Sequence, residues 1–169
     1  MVADMWRRII TTIDLVGAGV KVQPFLVVLF SVLTLSPLYA LTSDLLDIAE
    51  SATPAEIQQA LRGSADPNAV DSTGRTVLML AAASNPDPAA MSALVKAGAK
   101  VNARGPQGWT PLMMAAYNNP NPEVDLALMV AGADPRLRSD AGRTAFDYAQ
   151  DNDKLKGSAA LEKLRAGGK

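Results

Sequence analysis

One stretch of this 169-residue chain occurs three times at a constant spacing, beginning at Gly74, Gly108 and Gly142. Positions 74–82 read GRTVLMLAA, positions 108–116 read GWTPLMMAA, and positions 142–149 read GRTAFDYA. Self-similarity at a period of about 33 to 34 residues is typical of architectures in which helix pairs stack on one another. The repetition therefore predicts a linear stack of similar units before any single residue is considered.

Each copy carries the signals that begin and pack a helix. Thr76, Thr110 and Thr144 stand where an N-cap side chain accepts a hydrogen bond from a free backbone N–H. Pro111 occupies a first helical position, where the missing N–H costs nothing. Small alanine pairs let neighbouring helices approach closely, and larger apolar residues fill the space between layers. The alanine pairs are Ala81-Ala82 and Ala115-Ala116, and the interlayer residues are Leu78, Leu112 and Phe146.

A second helix is predicted in the same units. Asp87-Pro88 and Asn121-Pro122 each place a capping side chain before a proline, and residues 53–56 form a capping box. Gly98 and Gly132 follow where a helix ends in left-handed backbone conformation. We therefore expect an all-α chain of about four helix-turn-helix units.

This pattern resembles the ankyrin repeat, whose units read Gly-x-Thr-Pro-Leu-His-x-Ala-Ala, a helix, and then Gly-Ala-Asp-x-Asn. The resemblance covers residues 44–166, and its irregular ends are expected of terminal repeats that lack a neighbour. It implies an ankyrin repeat solenoid, with units joined by protruding hairpin loops, within a domain of residues 41–169, which we expect to be a monomer. The implied units are approximately residues 44–73, 74–107, 108–141 and 142–169.

The histidine of the family pattern is missing from this chain. Met79, Met113 and Asp147 stand in its column. In ankyrin repeats this histidine ties neighbouring units together by hydrogen bonds, so the resemblance implies that soft packing has replaced a polar tie. Methionine stripes on helices usually face the core; the alternative is an adaptable binding strip formed with Met114 and Tyr117.

Residues 1–40 are a different kind of sequence. An almost unbroken apolar run at residues 25–35 follows Lys21 and precedes Pro37 and Ala40. A positive flank, an apolar middle, a helix break and a small residue form the layout of a secretory signal. We expect cleavage after Ala40 and a mature domain in the bacterial periplasm or otherwise exported. Because a membrane-spanning helix needs about 20 apolar residues, the alternative of an uncleaved inner-membrane anchor, with the repeats outside the cytoplasm, is less favoured.

The composition argues against catalysis and against nucleic-acid binding. The chain has neither histidine nor cysteine, which removes the usual general base, thiolate metal sites and disulfides. Its net charge is −1, and the arginines of the last hairpin alternate with aspartates, so no basic surface is expected. Asp66 with Asp71, or Asp134 with Asp140, are the remaining options for a cation, but such Asp-Pro sequences are ordinary turns. We expect no catalytic residue, cofactor or metal.

Function is expected at positions that differ between units. Arg75, Trp109 and Arg143 share the column just after the hairpin glycine, so stacking places them on one side, about 10 Å apart from unit to unit. Arginine and tryptophan dominate binding hot spots. The alternative is that Trp109 packs on Pro106 and both arginines are solvated.

In ankyrin repeats, hairpin tips and the concave helix face bind proteins. The resemblance adds Asp71, Ser72, Thr73, Arg104, Gln107, Ser139 and Asp140 from the hairpins, and Ser84, Asn85, Tyr117, Asn118 and Gln150 from the first helices.

These expectations converge on a non-catalytic protein-binding module of the bacterial cell envelope. One hypothesis is an accessory scaffold that docks on an envelope protein. A second is an inhibitor or immunity protein that occludes a toxin or an enzyme, and a hydrolytic or metal-dependent enzyme is the minor alternative. We expect an unidentified protein partner, no nucleic acid, and no membrane contact once the signal is cleaved.

Overall fold

The computed structural model describes residues 45–168, which form a stack of helix pairs. Two single 3-10 turns, Pro106–Gly108 and Asp153–Leu155, interrupt the loops. The predicted leader, residues 1–40, lies outside the described residues. Among the described helices none is long and apolar enough to span a membrane. The helices are α1 Leu45–Ile48, α2 Pro54–Arg62, α3 Val77–Ser84, α4 Pro88–Lys96, α5 Pro111–Asn118, α6 Pro122–Val130, α7 Ala145–Ala149 and α8 Ala159–Gly167.

The predicted capping residues stand immediately before the first residues of the helices. The Oγ1 atoms of Thr76, Thr110 and Thr144 each accept a hydrogen bond, at 3.2 to 3.3 Å, from the backbone N–H three residues later. Thr53 and Glu56 form a reciprocal capping box at the start of α2. Each cap of this kind contributes about 1 kcal/mol. Local signals in the sequence therefore set where the helices begin.

The helices are arranged in two rows. Helices α1, α3, α5 and α7 pack against one another along an inner row, and α2, α4, α6 and α8 form an outer row. The core lies between them and includes the alanine pairs and interlayer leucines that were predicted. Met79 and Met113 are buried with them, so the core interpretation of the methionine column is confirmed. The all-α stack of about eight helices agrees with the predicted fold class.

The last unit carries a modified end. Phe146 occupies the column of Leu78 and Leu112, which are buried, but it is only partly buried. Asp147, in the histidine column, uses Oδ2 to accept hydrogen bonds from the N–H and the hydroxyl of Thr144, both at 2.8 Å. These bonds, the backbone one first, hold the pKa of the Asp147 carboxyl below its usual value. In the last unit Asp147 therefore helps to cap α7, whereas Met79 and Met113 of the same column pack in the core.

Neighbouring units are tied by buried asparagines at the ends of the first helices. Asn85 Nδ2 donates to the carbonyl oxygens of Ala49 and Ala52, at 3.2 and 2.8 Å. Asn119 and Asn152 donate in the same way to two carbonyls of the preceding unit, at 2.8 to 3.1 Å. The histidine column itself is filled by buried methionines, and the polar ties between units lie at these asparagines instead. Asn85 is 1% exposed, so its predicted place on the binding surface is corrected.

A second series of ties lies on the hairpin side. Asn68 Nδ2 donates to Gly98 O at 3.0 Å, and Asn68 Oδ1 accepts from Lys100 N at 2.9 Å. Asn102, in the next repeat along the chain, makes the corresponding pair of bonds. Gly98 has a φ of 99°, the left-handed conformation predicted for the end of a helix. Hydrogen bonds therefore join neighbouring units both at the ends of the first helices and on the hairpin side, and these bonds hold the loops in place.

Candidate protein-binding surface

The column of Arg75, Trp109 and Arg143 occupies one equivalent backbone position in successive hairpins. In each hairpin the carbonyl oxygen of the column residue accepts a hydrogen bond from the N–H four residues earlier, at 2.9 Å in all three cases. The shared backbone geometry arises from the constant spacing of the repeat. The three side chains nevertheless make different contacts.

Arg75 is paired within its own hairpin. Its Nη2 lies 2.8 Å from Asp71 Oδ2, and its Nε donates to the same oxygen. Asp71 Oδ1 accepts from the hydroxyl and the N–H of Thr73, at 2.6 and 2.8 Å. These bonds from Thr73, together with those from Arg75, hold the pKa of the Asp71 carboxyl well below its usual range. Asp71, Thr73 and Arg75 are thus hydrogen-bonded to one another within a single loop. Ser72 lies exposed beside them.

Trp109 belongs to an aromatic cluster with Tyr117 and Tyr148. The ring centroids of Trp109 and Tyr148 are 4.2 Å apart, with an angle of 35° between the ring planes. Tyr117 meets both rings edge-on, at 5.7 Å from Trp109 and 6.0 Å from Tyr148. The partly buried Trp109 is therefore packed against two tyrosines, a setting that neither of the two sequence interpretations included.

The three rings of the aromatic cluster are buried to different extents. Tyr148 is 5% exposed, and its hydroxyl lies 2.9 Å from Ser139 Oγ. Tyr117, near the end of α5, is 45% exposed and is one of three exposed large hydrophobic residues among those described. Ser139, which was expected at an accessible hairpin tip, is buried under this contact and is corrected accordingly. Tyr148 thus forms the buried base of the aromatic cluster, and Tyr117 forms its exposed edge.

Arg143 joins the aromatic cluster from the last hairpin. Its guanidinium carbon lies 4.3 Å from the centroid of the Tyr148 ring, within the range of a cation–π contact. Its Nη2 also forms an ion pair with Asp151 Oδ2 at 2.6 Å. The bond to Asp151 is the main reason that the pKa of Arg143 is raised. Tyr148 therefore brings Trp109 and Arg143 of the predicted column into a single group of contacts.

The hairpin that ends at Trp109 is linked to the hairpin that ends at Arg143. Arg104 Nη1 donates to Arg138 O at 2.9 Å, and Arg104 Nη2 lies 3.4 Å from Asp140 Oδ1. Asp140 N in turn donates to Gln107 O at 2.9 Å. The side chains of Arg104, Gln107 and Asp140 remain exposed, so they form a polar border whose backbone is fixed. Ser84, Asn118 and Gln150 are exposed at the ends of the inner helices.

Two of the aspartates considered for a cation, Asp66 and Asp134, serve their own turns. Asp66 Oδ1 accepts from Asn68 N at 2.8 Å, and Asp134 Oδ1 accepts from Arg136 N at 3.0 Å. Within residues 45–168 no three His, Cys, Asp or Glu side chains are placed to hold a metal ion. Turn formation accounts for these aspartates.

Sequence reasoning missed Tyr148 because it assigned this residue to an irregular terminal unit. The available signal was its place in the column of Leu80 and Met114, which marks an inward-facing position of the repeat. A tyrosine in such a column needs a partner for its hydroxyl, and Ser139 is that partner. Its ring position near Trp109 follows only once the units are stacked.

Comparison with known proteins agrees with this architecture. A sequence profile described as "Ankyrin repeats (3 copies)" matches residues 45–139, which is more than half of the chain. No curated protein matches the chain. Ankyrin repeats are typically non-catalytic modules that bind other proteins. Since the profile match and the stacked helix pairs agree, the chain belongs to the ankyrin repeat family.

Proposed function

We propose that this protein binds another protein through a surface centred on the aromatic cluster of Trp109, Tyr117 and Tyr148. The observation that carries the proposal is the exposed edge of Tyr117 against a partly buried tryptophan. Tryptophan, tyrosine and arginine are the residues most enriched in binding hot spots. Here all three types lie in one contiguous group, since Arg143 contacts Tyr148.

The surroundings of the aromatic cluster also suit a protein interface. Such interfaces have an apolar centre and a polar rim that remains in contact with water. The exposed side chains of Arg104, Gln107 and Asp140 supply polar groups on the neighbouring hairpins, and Asn118 follows Tyr117 in the chain. Arg75 is committed to Asp71, so we assign it to the structure of its hairpin rather than to the contact surface.

We infer a non-catalytic role as an accessory scaffold in the cell envelope. The chain contains no histidine or cysteine, and the carboxylates of Asp66, Asp134 and Asp151 are used in turns and in an ion pair. The proposed location rests on the signal-like layout of residues 1–40. Amino-terminal sequencing of the protein from an envelope fraction should begin at Leu41. An intact amino terminus in the cytosolic fraction would contradict export.

The binding surface is tested by comparing single variants in affinity capture. Tagged wild-type protein and Tyr117→Ala are used to capture proteins from an envelope extract, which are then identified by mass spectrometry. Because Tyr117 is largely exposed, its truncation should weaken capture of the true partner about 10-fold or more, as expected for a hot-spot residue.

A matched control distinguishes binding at this surface from nonspecific binding to exposed apolar residues. Val130, 84% exposed, is an apolar surface residue at the end of the outer helix α6, whereas Tyr117 lies on the inner helix α5. Val130→Ala should leave capture of the same partner unchanged. Equal capture by wild-type protein and Tyr117→Ala, at equal melting temperatures, would overturn the assignment of this surface.

A further inference from the structure

Asp125 is a fully buried carboxyl group in the middle of α6. The residue is 0% exposed, and neither Oδ1 nor Oδ2 has a hydrogen-bond partner among the described residues. Burying a polar group without a partner is costly, and a buried charge costs far more. Native structures contain few such groups, so each needs a physical account.

The position of Asp125 belongs to an apolar column of the outer helices. It is the fourth residue of α6, and the fourth residues of α2 and α4 are Ile57 and Met91. Both of these side chains are fully buried in the core. The third unit therefore carries a carboxyl group where the first two units carry large apolar side chains.

The helices packed against α6 offer Asp125 no polar contact. Helix α6 packs on α4, α5 and α8, and the buried residues of these three helices are all apolar. The titratable side chains on these helices, and the other one on α6, are exposed to solvent; Asp87, which caps α4, accepts a hydrogen bond from Ala89 N. The exposed groups are Lys96 on α4, Tyr117 on α5, Glu123 on α6, and Glu162, Lys163 and Arg165 on α8.

Burial raises the pKa of Asp125 to about 7. An aspartate in an unfolded chain has a pKa of about 3.9. The raised pKa follows from desolvation, because the charged form loses its hydration when it enters an apolar core. The chain has no histidine, so no other side chain has an ordinary pKa between about 5 and 8.

We propose that Asp125 is a proton-dependent switch of stack stability, and that its ionisation loosens the packing of α6 against α4 and α8. Below about pH 4 the carboxyl is protonated in both folded and unfolded chains, and its stability contribution is fully present. As the pH rises, the unfolded chain ionises first, and this contribution is lost by the time the pH passes the folded pKa of about 7. Above that pH the loss is constant.

The size of the effect follows from the two pKa values. A difference of about 3 pKa units multiplies the unfolding equilibrium constant by up to about 1,000 between pH 4 and pH 8. Between these limits the constant should rise about 10-fold per pH unit from this group alone. Folding at an intermediate pH should accordingly take up about one proton.

The test measures urea unfolding of the full chain between pH 4.5 and pH 8. Asp125→Met places the side chain of the Met91 column at this site, and Asp125→Asn keeps the shape without a titrating group. The unfolding constant of the wild-type protein, divided by that of either variant, should rise steeply up to about pH 7 and then level off. A ratio that does not change with pH would overturn the proposal.

Two further measurements guard against an uninformative variant. Glu123→Gln removes an exposed carboxylate from the same helix and should retain the pH dependence of the wild-type protein. Carbon-13 NMR titration of the Asp125 carboxyl in the folded wild-type chain gives its pKa directly. A value near 4 would overturn the proposal even if neither substitution at Asp125 yields a folded protein. Faster amide exchange in α6 and α8 of the wild-type protein than of Asp125→Asn, at pH 8, would locate the loosening.

Discussion

The rings of Trp109 and Tyr148 lie 4.2 Å apart, centroid to centroid, although the two residues belong to successive units of the stack. Aromatic pairs of this kind contribute about 0.5–1.5 kcal/mol beyond the area that they bury. Because Tyr148 is also held by Ser139, the base of the aromatic cluster is fixed before any partner arrives. A surface that is already ordered loses less conformational freedom on binding.

Trp109 and Tyr117 should differ in their effects on folding. Trp109→Ala removes a ring that packs on two tyrosines, so we expect a loss of about 2 kcal/mol in the free energy of unfolding, below the loss for a fully buried tryptophan. Tyr117→Ala should cost less than about 1 kcal/mol because the side chain is largely exposed. Chemical denaturation measures both. Equal losses would mean that Tyr117 supports the fold and is a poor probe of binding.

The central asparagine tie should be among the most sensitive positions. Asn119→Ala leaves the buried carbonyl oxygens of Ala82 and Asn85 without their side-chain donor. We expect a loss of about 2–3 kcal/mol in the free energy of unfolding. Asn118→Ala, at the exposed neighbouring position, is the control and should change stability by less than about 0.5 kcal/mol. Similar losses in the two variants would show that the tie adds little.

The hydroxyl of Tyr148 should contribute to stability separately from its ring. Tyr148→Phe keeps the stacking with Trp109 and removes only the hydrogen bond to Ser139 Oγ. The expected loss is about 1 kcal/mol in the free energy of unfolding. Tyr117→Phe, on the exposed ring, should have almost no effect and serves as the comparison. A Tyr148→Phe protein as stable as the wild type would mean that Ser139 finds water instead.

Asp71 should stabilise its hairpin in a pH-dependent manner opposite in sign to that of Asp125. The hydrogen bonds from Thr73, together with those from Arg75, lower its pKa, so its contribution is present above the unfolded pKa of about 3.9. The contribution is lost as the pH falls through the lower folded pKa. Asp71→Asn should therefore shift the urea midpoint downward at pH 7 and progressively less as the solution is acidified. A shift that is the same at acid and neutral pH would contradict this role.

The features that sequence reasoning anticipated are those that depend on local chemistry. Threonine caps such as Thr110, and glycines such as Gly98, are recognised because each acts within a few residues of itself. The column of Arg75, Trp109 and Arg143 was also found, since the period alone defines it. What these side chains contact depends on residues from another unit, and Arg75 and Trp109 accordingly have unlike surroundings.

Two missed features had signals in the repeat itself. Asn119 stands a full period after Asn85, but Asn152 falls just short of the next period, and this slip hid the series of ties. Asp125 stands a full period after Met91, and comparing that column would have shown a carboxyl group among apolar residues. Its lack of a partner, however, could be known only from three-dimensional packing. In repeat sequences, a column whose chemistry changes between units therefore marks a position to compare closely.

The asparagine ties also bear on how such a chain can evolve. The backbone oxygen of Asn85 accepts the amide of Asn119, and the backbone oxygen of Asn119 accepts the amide of Asn152. Asn85 and Asn119 are thus donors toward the unit before them and acceptors for the unit after them. A duplicated unit would bring both halves of this connection with it. The number of units can accordingly grow or shrink by whole repeats while every junction keeps its polar groups paired.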